Sequence, residues 1–384
     1  MDFALTEDQR LLRDTARQFA NANLVKLADE LEVGAKPVPP SWLKQYAEMG
    51  FLGINTAESD GGLGLSLVDA LLVIEELAKV SVAVAFPVFE CCVGPLRVID
   101  KFGSEELRTR LIRMAINGEG LVSMAMSEPD AGTAVTDLRT RAIVDGDVIR
   151  IEGAKRWCSG AGHAAGYVVL CRFGDIPGAK GIGAVFVPGD AKGLTFGAQE
   201  DLMGFRGVPS ADMYLDGVKI PTENLLIQSG GFASLMGVFN VERLGNATMA
   251  LGVAAGALER SLQYVQERMQ FGKPLVDFQA VQLRLAEMTM KVEAARLLIH
   301  KAATEFASNN SMTVLLAKCF ANEITREVTG AAVQLMGAYG YARAYGMERR
   351  MRDAWGWGIA GGSIDIQKVN ITSALVGRRF DQRR

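Results

Sequence analysis

Small and apolar residues recur at helical spacing along the second half of the chain, in two stretches separated by a short break. The first stretch comprises Leu244, Thr248, Leu251, Ala255, Leu258, Leu262 and Val265, and the second comprises Phe278, Val281, Leu285, Met288, Val292, Ala295 and Ile299. The break, Phe271-Gly272-Lys273-Pro274, places Gly and Pro where a helix normally ends. A third stripe comprises Phe320, Ile324, Val328, Ala331 and Leu335. The pattern predicts long, consecutive helices.

The texture of the chain changes twice. Residues 1–118 carry helical stripes, whereas residues 119–228 contain short β-rich runs, such as DVIRIEG, GYVVLCRF and IGAVFVP, separated by Gly, Asp and Pro. Residues 229–384 return to the helical pattern. A chain of 384 residues is long enough for two or three domains. We therefore predict an α+β protein in which a β domain separates two helical domains.

Charge and hydropathy exclude several classes of function. The net charge of −3 provides no basic field for nucleic acid. No run of about 18 apolar residues predicts a membrane span, and the N-terminal segment has no apolar signal core. Five cysteines without metal-ligand spacing favour a reducing, cytoplasmic location, and two histidines are too few for a histidine-based metal site. We therefore expect chemistry from carboxylates, hydroxyls or an organic cofactor, and no metal.

The region around the break resembles one enzyme family. Arg268, then Phe271-Gly272-Lys273-Pro274, Gln279 and Leu285-Ala286-Glu287-Met288 follow the order and spacing of the flavin-dependent acyl-CoA dehydrogenases. The resemblance extends over the whole chain. It implies an N-terminal α-helical domain, a central β-barrel and a C-terminal four-helix bundle. It also implies FAD, an acyl-CoA or acyl-carrier thioester, an electron-transfer flavoprotein as partner, and a homotetramer built as a dimer of dimers.

Two segments of the middle domain are similar to the flavin loops of this family. In the first, Met124 to Thr133, the match places Met126 and Ser127 against the flavin, and Met124 and Thr133 near the substrate. Without the resemblance, its Ser-Glu-Pro-Asp sequence is a plain turn signal. The segment also has Ala134 where the family usually keeps Asp.

The second segment, Lys155 to Gly160, resembles the loop whose indole lies against the isoalloxazine and whose hydroxyl donates to the flavin. These residues would be Trp157 and Ser159. A buried aromatic supplies stacking area and one donor tunes the ring, although a core Trp of the β domain is the simpler alternative. The nearby GxGxxA from Gly160 to Ala165 is not a dinucleotide fingerprint, because a β-like run follows it instead of a helix.

A further set of residues is expected to hold the adenine half of FAD across a subunit interface. By the resemblance, the segment with Gln334, Gly337 and Ala338 meets the adenine half across the interface, and Arg268, Gln270 and Phe271 supply pyrophosphate and adenine contacts from the neighbouring subunit. The glycines at the end of the third stripe also fit a plain helix C-cap.

The last motif departs from the family. Most members carry Tyr-Glu-Gly shortly before an Ile-Gln pair, and that Glu is the catalytic base. When this chain is aligned on Ile366-Gln367, Gly361 stands at the position of the Glu. Glycine cannot accept a proton, but it retains the backbone N–H that polarises the thioester carbonyl in the family. The resemblance also places Ser363 and Asp365 of this loop at the cofactor.

Glu242 is the predicted replacement base. A subset of the family has its Glu on the first helix of the C-terminal domain, directly before an Arg, and Glu242-Arg243 occupies that place. We expect burial to raise the pKa of Glu242, and we place Asn240 and Arg243 near the substrate. The alternative is a surface or ion-paired Glu in a helix N-terminal turn.

Other functions on the same scaffold remain open at this point. They are an enoyl-CoA reductase-type enzyme, an oxygen-using flavoenzyme, and a non-catalytic subunit of a hetero-oligomeric dehydrogenase. Ala360 and Gly361 stand where the family has a Tyr and a Glu. The volume that they leave suggests a bulky, branched or cyclic acyl group.

Overall fold

The helices lie in two groups, one before and one after the strands, as the sequence predicts. The computed structural model describes residues 4–306 and 311–380, and within these the first group is α1 Glu7–Phe19, α2 Val25–Gly34, α3 Pro40–Glu48, α4 Leu67–Val80, α5 Val82–Cys92, α6 Leu96–Phe102 and α7 Glu105–Ile116. The second group is α8 Phe232–Glu267, α9 Gln279–Thr304, α10 Ser311–Met336, α11 Ala338–Tyr341, α12 Met347–Trp357 and α13 Ile364–Leu375. The three predicted stripes fall on α8, α9 and α10.

The middle of the chain forms one sheet. Its strands are β1 Val122–Ala125, β2 Arg141–Asp145, β3 Val148–Ser159, β4 Gly166–Phe173, β5 Ile182–Pro188, β6 Leu194–Phe196, β7 Ser210–Pro221 and β8 Leu225–Ile227. They are ordered β6-β7-β3-β2-β4-β5-β8, with β1 pairing β4 in parallel. The rejected GxGxxA segment is indeed followed by a strand, β4, rather than by a helix. The predicted helix break is a small hairpin, β9 Met269–Gln270 and β10 Lys273–Pro274.

The small residues of α8 allow another backbone to approach. A Cβ atom added to Gly252 would lie 2.5 Å from Ala78 Cβ, and one added to Gly256 would lie 2.9 Å from Lys79 Cα. Both contacts are far too short for real atoms, so α8 needs glycine where α4 crosses it. Close packing fixes the N-terminal helices against the C-terminal bundle.

A short segment after β6 docks the sheet domain onto α12. Phe205 N–H donates to Asp353 Oδ1 at 2.7 Å, and the Phe205 ring lies 4.7 Å from the ring of Trp357. Arg352 Nη1 also donates to Met203 O at 2.8 Å. The three contacts position the strands of the middle domain over the end of the C-terminal bundle.

One apolar helical stretch among the described residues, Val82–Phe102, is long enough to cross a membrane, although 89% of its most apolar window is buried inside the protein. It comprises α5 and α6, and Glu90 and Arg97 interrupt it. These charges are why the sequence shows no uninterrupted apolar run. The stretch has the burial of a core segment.

Candidate functional site

The loop between α12 and α13 is held by a buried lysine of the bundle. Gly361 and Gly362 have φ angles of +65° and +88°, a conformation that residues with side chains rarely adopt. The side chain of Lys318, on α10, is fully buried, and its Nζ donates to Ala360 O at 2.9 Å and to Gly362 O at 2.6 Å. Burial lowers the pKa of Lys318 to about 8, and the nearby Glu242 charge opposes this shift.

Further side chains bind the remaining carbonyl groups of the loop. Asn246 Nδ2, on α8, donates to Ala360 O at 3.3 Å and to the carbonyl of Trp357 at 3.2 Å. Gly361 O accepts from Gln367 Nε2 at 3.3 Å and from Arg243 Nε at 3.4 Å. No hydrogen bond between described residues uses the Gly361 N–H. The carbonyl groups of Ala360, Gly361 and Gly362 therefore accept hydrogen bonds from neighbouring side chains, whereas the Gly361 N–H remains available to a ligand.

Glu242 lies about three turns into α8, which begins at Phe232. The alternative that Glu242 belongs to a helix N-terminal turn is therefore wrong, because the earlier turns of α8, which contain Phe232, Leu235 and Phe239, precede it. The carboxyl group of Glu242 makes no ion pair or hydrogen bond with another described residue. The residue is partly exposed, but its carboxyl group is surrounded by protein. Burial raises its pKa to about 8, as we expected, against the opposing charges of Arg243 and Lys318.

Asn240 and Arg243 link the start of the bundle to the loop. Arg243 Nη1 donates to Asn240 Oδ1 at 2.6 Å, and the same guanidinium reaches Gly361 O through Nε. The structure thus brings together the predicted base, both predicted substrate residues of α8 and Gly361.

The two predicted flavin loops of the sheet domain also lie side by side. Arg156 N–H donates to Ser127 O at 2.9 Å, and the buried Lys155 Nζ donates to Met126 O at 3.1 Å. Trp157 has a φ of +60° and remains 52% exposed, with the Arg156 guanidinium 4.4 Å from its ring centre. Trp157 is therefore not a core residue, and its exposed face is free to stack on a planar group.

The other predicted site residues near these loops occupy varied surroundings. Met124 is partly buried in β1, whereas Thr133 is exposed in the loop after it. Ser159 ends β3 opposite Ser210. Ser363 is the N-cap of α13, and Asp365 is exposed in the first turn of that helix.

The residues predicted for the adenine half form a separate, exposed group. Arg268 lies 5.6 Å from the ring centre of Tyr339, which follows Gln334, Gly337 and Ala338. Gln270 and Phe271 lie on the adjoining hairpin, and the Phe271 side chain is 93% exposed. Among described residues, no hydrogen bond, ion pair or ring contact joins this group to Trp157 or Glu242.

Three family models match the chain in the order of its structural units. They are the acyl-CoA dehydrogenase N-terminal domain over residues 6–119, the middle domain over residues 123–218 and the C-terminal domain over residues 229–376. The chain belongs to the acyl-CoA dehydrogenase family. The recognition and the fold predicted from sequence are thereby confirmed, and so is the oxidoreductase class.

Relatives and solved structures agree with this assignment. The chain is 35% identical over 388 residues to a 3-sulfinopropanoyl-CoA desulfinase of Paraburkholderia xenovorans (strain LB400), covering 100% of this chain and 99% of that one. A chain in a solved structure described as the electron transferring flavoprotein of Acidaminococcus fermentans has a TM-score of 0.94 at 34% identity, covering 98% and 100% of the two chains. A glutaryl-CoA dehydrogenase of Mycobacterium smegmatis, in complex with FADH2, has a TM-score of 0.92 at 25% identity, covering 98% and 97%.

Sequence analysis missed three buried polar residues of this acyl-CoA dehydrogenase scaffold. Lys318 and Asn246 bind the loop, and Glu90, on α5, is 5% exposed and has no hydrogen-bond partner for its Oε2 among the described residues. Lys318 and Glu90 are isolated charges in the apolar runs VLLAKCFA and AFPVFECC. Isolated charges of that kind are the signal that could have identified them, because a charge is rarely buried without a purpose or a partner.

Proposed function

We propose that this chain catalyses FAD-dependent α,β-dehydrogenation of an acyl-CoA thioester, with Glu242 as the base that takes the Cα proton. The observation that supports the proposal most strongly is the joint placement of Glu242 and Gly361. Among the described residues, the carboxyl group of Glu242 has no partner and the backbone N–H of Gly361 is unused. Arg243, next to Glu242 on α8, donates to Gly361 O and so links the two.

The residues around Trp157 fit a flavin. The indole of Trp157 is exposed, and the loop that carries it is hydrogen-bonded to the loop of Ser127. The two loops therefore offer a preformed stacking surface. Met126, Ser127, Trp157 and Ser159 would hold the isoalloxazine, whereas Arg268 with Gln334 would serve the adenine half of a neighbouring subunit's FAD. When bound, the flavin would accept the hydride that leaves Cβ.

The remaining chemistry belongs to the chain itself. The Gly361 N–H would donate to the thioester carbonyl and so stabilise the negative charge that develops there when Cα loses its proton. Arg243 and Lys318 hold the loop that presents this N–H, and their charges favour the carboxylate form of Glu242. Glu242 would accept the proton from the adjacent Cα, since a base must lie within hydrogen-bond reach of the proton it removes.

Other scaffold functions predict different results in one experiment. In an anaerobic titration of the flavin-loaded protein with CoA thioesters, dehydrogenation bleaches the flavin with saturated thioesters. A reductase-type enzyme would instead reoxidise chemically reduced flavin with enoyl thioesters. An oxygen-using enzyme would reoxidise rapidly in air, and a non-catalytic subunit would bind no flavin or require a second chain.

The partners follow from the same proposal. We expect an electron-transfer flavoprotein as electron acceptor and a homotetramer as the working form, in the cytoplasm. Sedimentation would report the assembly, and reduction of added electron-transfer flavoprotein would report the partner. A bulky, branched or cyclic acyl group remains our expectation for the substrate. Ala360 and Gly361 are smaller than the Tyr and Glu that the family has at these positions, and so leave more volume.

The proposal predicts a pH dependence. Glu242 acts as a base only when deprotonated, and its pKa is raised to about 8. The apparent second-order rate constant for flavin reduction should therefore rise about tenfold per pH unit below this value and level off above it. Anaerobic stopped-flow measurements at limiting thioester concentration test this. A profile that is flat throughout the range below the pKa would contradict the assignment.

The Trp157 surface predicts a change in flavin binding. Trp157→Ala removes the stacking area, so the Kd of the apoprotein for FAD should increase about tenfold or more. Equilibrium dialysis measures this without any catalytic assay. Trp355→Ala is the matched control, because Trp355 is 45% exposed and also carries a guanidinium, that of Arg326, 4.2 Å from its ring. Equal effects of both substitutions would remove Trp157 from the flavin site.

A further inference from the structure

The end of α12 is capped by a side chain of another helix. Ala360 N–H donates to Gly356 O at 3.0 Å, which continues the helical hydrogen bonding beyond the last residue of α12. In the next helical bond, the Gly361 N–H would donate to Trp357 O, four residues before it. Asn246 Nδ2, on α8, donates to Trp357 O at 3.2 Å instead. This side chain therefore occupies the acceptor to which the Gly361 N–H would otherwise bind.

The same amide also sets the direction of the Gly361 N–H. Asn246 Nδ2 donates to Ala360 O at 3.3 Å, and Lys318 Nζ donates to the same oxygen at 2.9 Å. Ala360 O and the Gly361 N–H belong to one peptide unit, and no cis peptide bond occurs among the described residues. In a trans peptide the C=O and N–H bonds point in opposite directions. Because both donors hold the carbonyl oxygen toward the bundle, the N–H points away from Asn246 and Lys318.

Asn322, on α10, fixes which way the Asn246 amide faces. Asn322 Nδ2 donates to Asn246 Oδ1 at 2.9 Å and to Lys318 O at 2.8 Å. Backbone carbonyl groups only accept hydrogen bonds. The amino group of Asn322 must therefore face Lys318 O, and the amino group of Asn246 must face the loop. The two amides can link α10 to the loop in this orientation only.

The two asparagines lie in the interior, where an amide is unfavourable unless it is fully hydrogen-bonded. Asn246 is 3% exposed and Asn322 is fully buried, and Asn322 Oδ1 has no hydrogen-bond partner among the described residues. A buried acceptor without a partner destabilises the folded protein. An apolar side chain of similar size would avoid this loss, so the amide of Asn322 calls for an explanation other than packing.

We propose that Asn246 and Asn322 are positioning residues, which keep the Gly361 N–H out of the helix and directed at the thioester carbonyl. The inference rests on the proposed function, in which this N–H stabilises the charge that develops on the carbonyl oxygen. Asn246 acts on the loop directly, by holding Trp357 O and Ala360 O. Asn322 acts through Asn246, and neither residue contacts the reacting atoms in this account.

The first test is kinetic. Butyryl-, hexanoyl-, isobutyryl- and cyclohexanecarbonyl-CoA are titrated anaerobically against the flavin-loaded protein, and the thioester that bleaches the flavin fastest is used for all variants. Asn246→Leu frees Trp357 O and should lower the rate constant of flavin reduction about tenfold or more, because a misdirected donor stabilises the developing charge poorly. Asn322→Leu should lower it about three- to tenfold, as expected for one lost hydrogen bond.

A double substitution shows whether the two asparagines act as a unit. In the Asn246→Leu background, Asn322→Leu should lower the rate constant by less than about twofold more, because effects of residues that act through one another are not additive. Fully additive losses would show that each asparagine acts independently, and would refute the proposed relay. Alanine at either position tests the same loss where leucine prevents folding.

The second test observes the thioester carbonyl itself. The same thioester, labelled isotopically at its carbonyl carbon, is bound to the flavin-loaded Glu242→Gln protein, in which the reaction is slow. Infrared difference spectroscopy should show the carbonyl band at a lower wavenumber than in the free thioester, because a hydrogen bond to the oxygen weakens the C=O bond. Adding Asn246→Leu or Asn322→Leu should return the band most of the way to its free position. A role in stability alone would not move the band.

Matched substitutions and the pattern of failure separate the two proposals. Thr248→Val on α8 and Thr329→Val on α10 remove buried hydroxyls that donate to carbonyl groups of their own helices, at 2.9 and 2.7 Å. Both should leave the rate constant and the band unchanged. If the asparagine variants match these controls, or if the band of Glu242→Gln itself is unshifted, the positioning role is refuted while dehydrogenation stands. If none of the four thioesters bleaches the native flavin, the proposed function itself is refuted.

Discussion

Glu242→Gln is expected to lower the rate constant of flavin reduction by a thioester by about 10²–10⁴-fold, the usual contribution of a general base. The amide keeps the shape of the side chain and cannot accept the Cα proton. Binding of FAD and of the thioester should persist, because the Gly361 N–H and the loops around Trp157 are unchanged. Anaerobic stopped-flow absorbance at saturating thioester measures the effect on the chemical step.

The matched control for this substitution is Glu259→Gln. Glu259 lies on the same helix, α8, but is exposed, and it pairs with Lys79 at 2.7 Å. Its substitution should leave flavin reduction unchanged. Normal bleaching in Glu242→Gln, or equal losses in both variants, would exclude Glu242 as the base.

Thermal unfolding gives an independent check on Glu242. Its pKa in the folded protein, about 8, exceeds the value near 4.3 of an unfolded glutamate. Between these values the folded state binds more protons, so Glu242 lowers the free energy of unfolding as the pH rises through this window. Glu242→Gln should therefore remove part of the decline in stability between pH 5 and 8 or so.

Lys318→Met is expected to produce the second large effect. The substitution removes the charged donor from Ala360 O and Gly362 O while keeping an apolar stem of similar length. Hydrogen bonds from a charged group contribute about 1.5–3 kcal/mol each. The loop should consequently lose its fixed geometry. The rate constant of flavin reduction divided by the Kd of the thioester should then fall by about 10²-fold or more.

The corresponding control is Lys368→Met. Lys368 is exposed on α13 and pairs with Glu323 at the surface, where an ion pair contributes little. FAD content is to be measured in both lysine variants, because Ser363 and Asp365, which are predicted at the cofactor, directly follow the loop that Lys318 binds. If Lys318→Met reduces its flavin at the native rate, the loop does not depend on this lysine.

Local patterns predicted the helices well, and they predicted the site only in part. The stripes of α8, α9 and α10 are visible because each helix buries one face at regular spacing. The start of α8 carries the same signal, at Phe232, Leu235, Met236 and Phe239, but the predicted stripe began only at Leu244. As a result, the sequence placed Glu242 too near the helix terminus.

Contacts between distant parts of the chain could not be read from spacing. The hydrogen bonds from Lys318 and Asn246 to Ala360 span 42 and 114 residues, respectively. Motif resemblance nominated Glu242 and Gly361 individually. Only the packing of three helices shows that the carbonyl groups of the loop are occupied and that the Gly361 amide is not.

The backbone of the α12–α13 loop limits how such a site can evolve. At Gly361, a side chain would both adopt an unfavourable φ of +65° and project toward Lys318 Cε and Asn246 Nδ2, each 3.6 Å from its Cβ. Replacing this glycine with glutamate would therefore not transfer the proton acceptor from α8 to the loop. The main chain of the loop would first have to leave this conformation, so the position of the base is coupled to the shape of the loop.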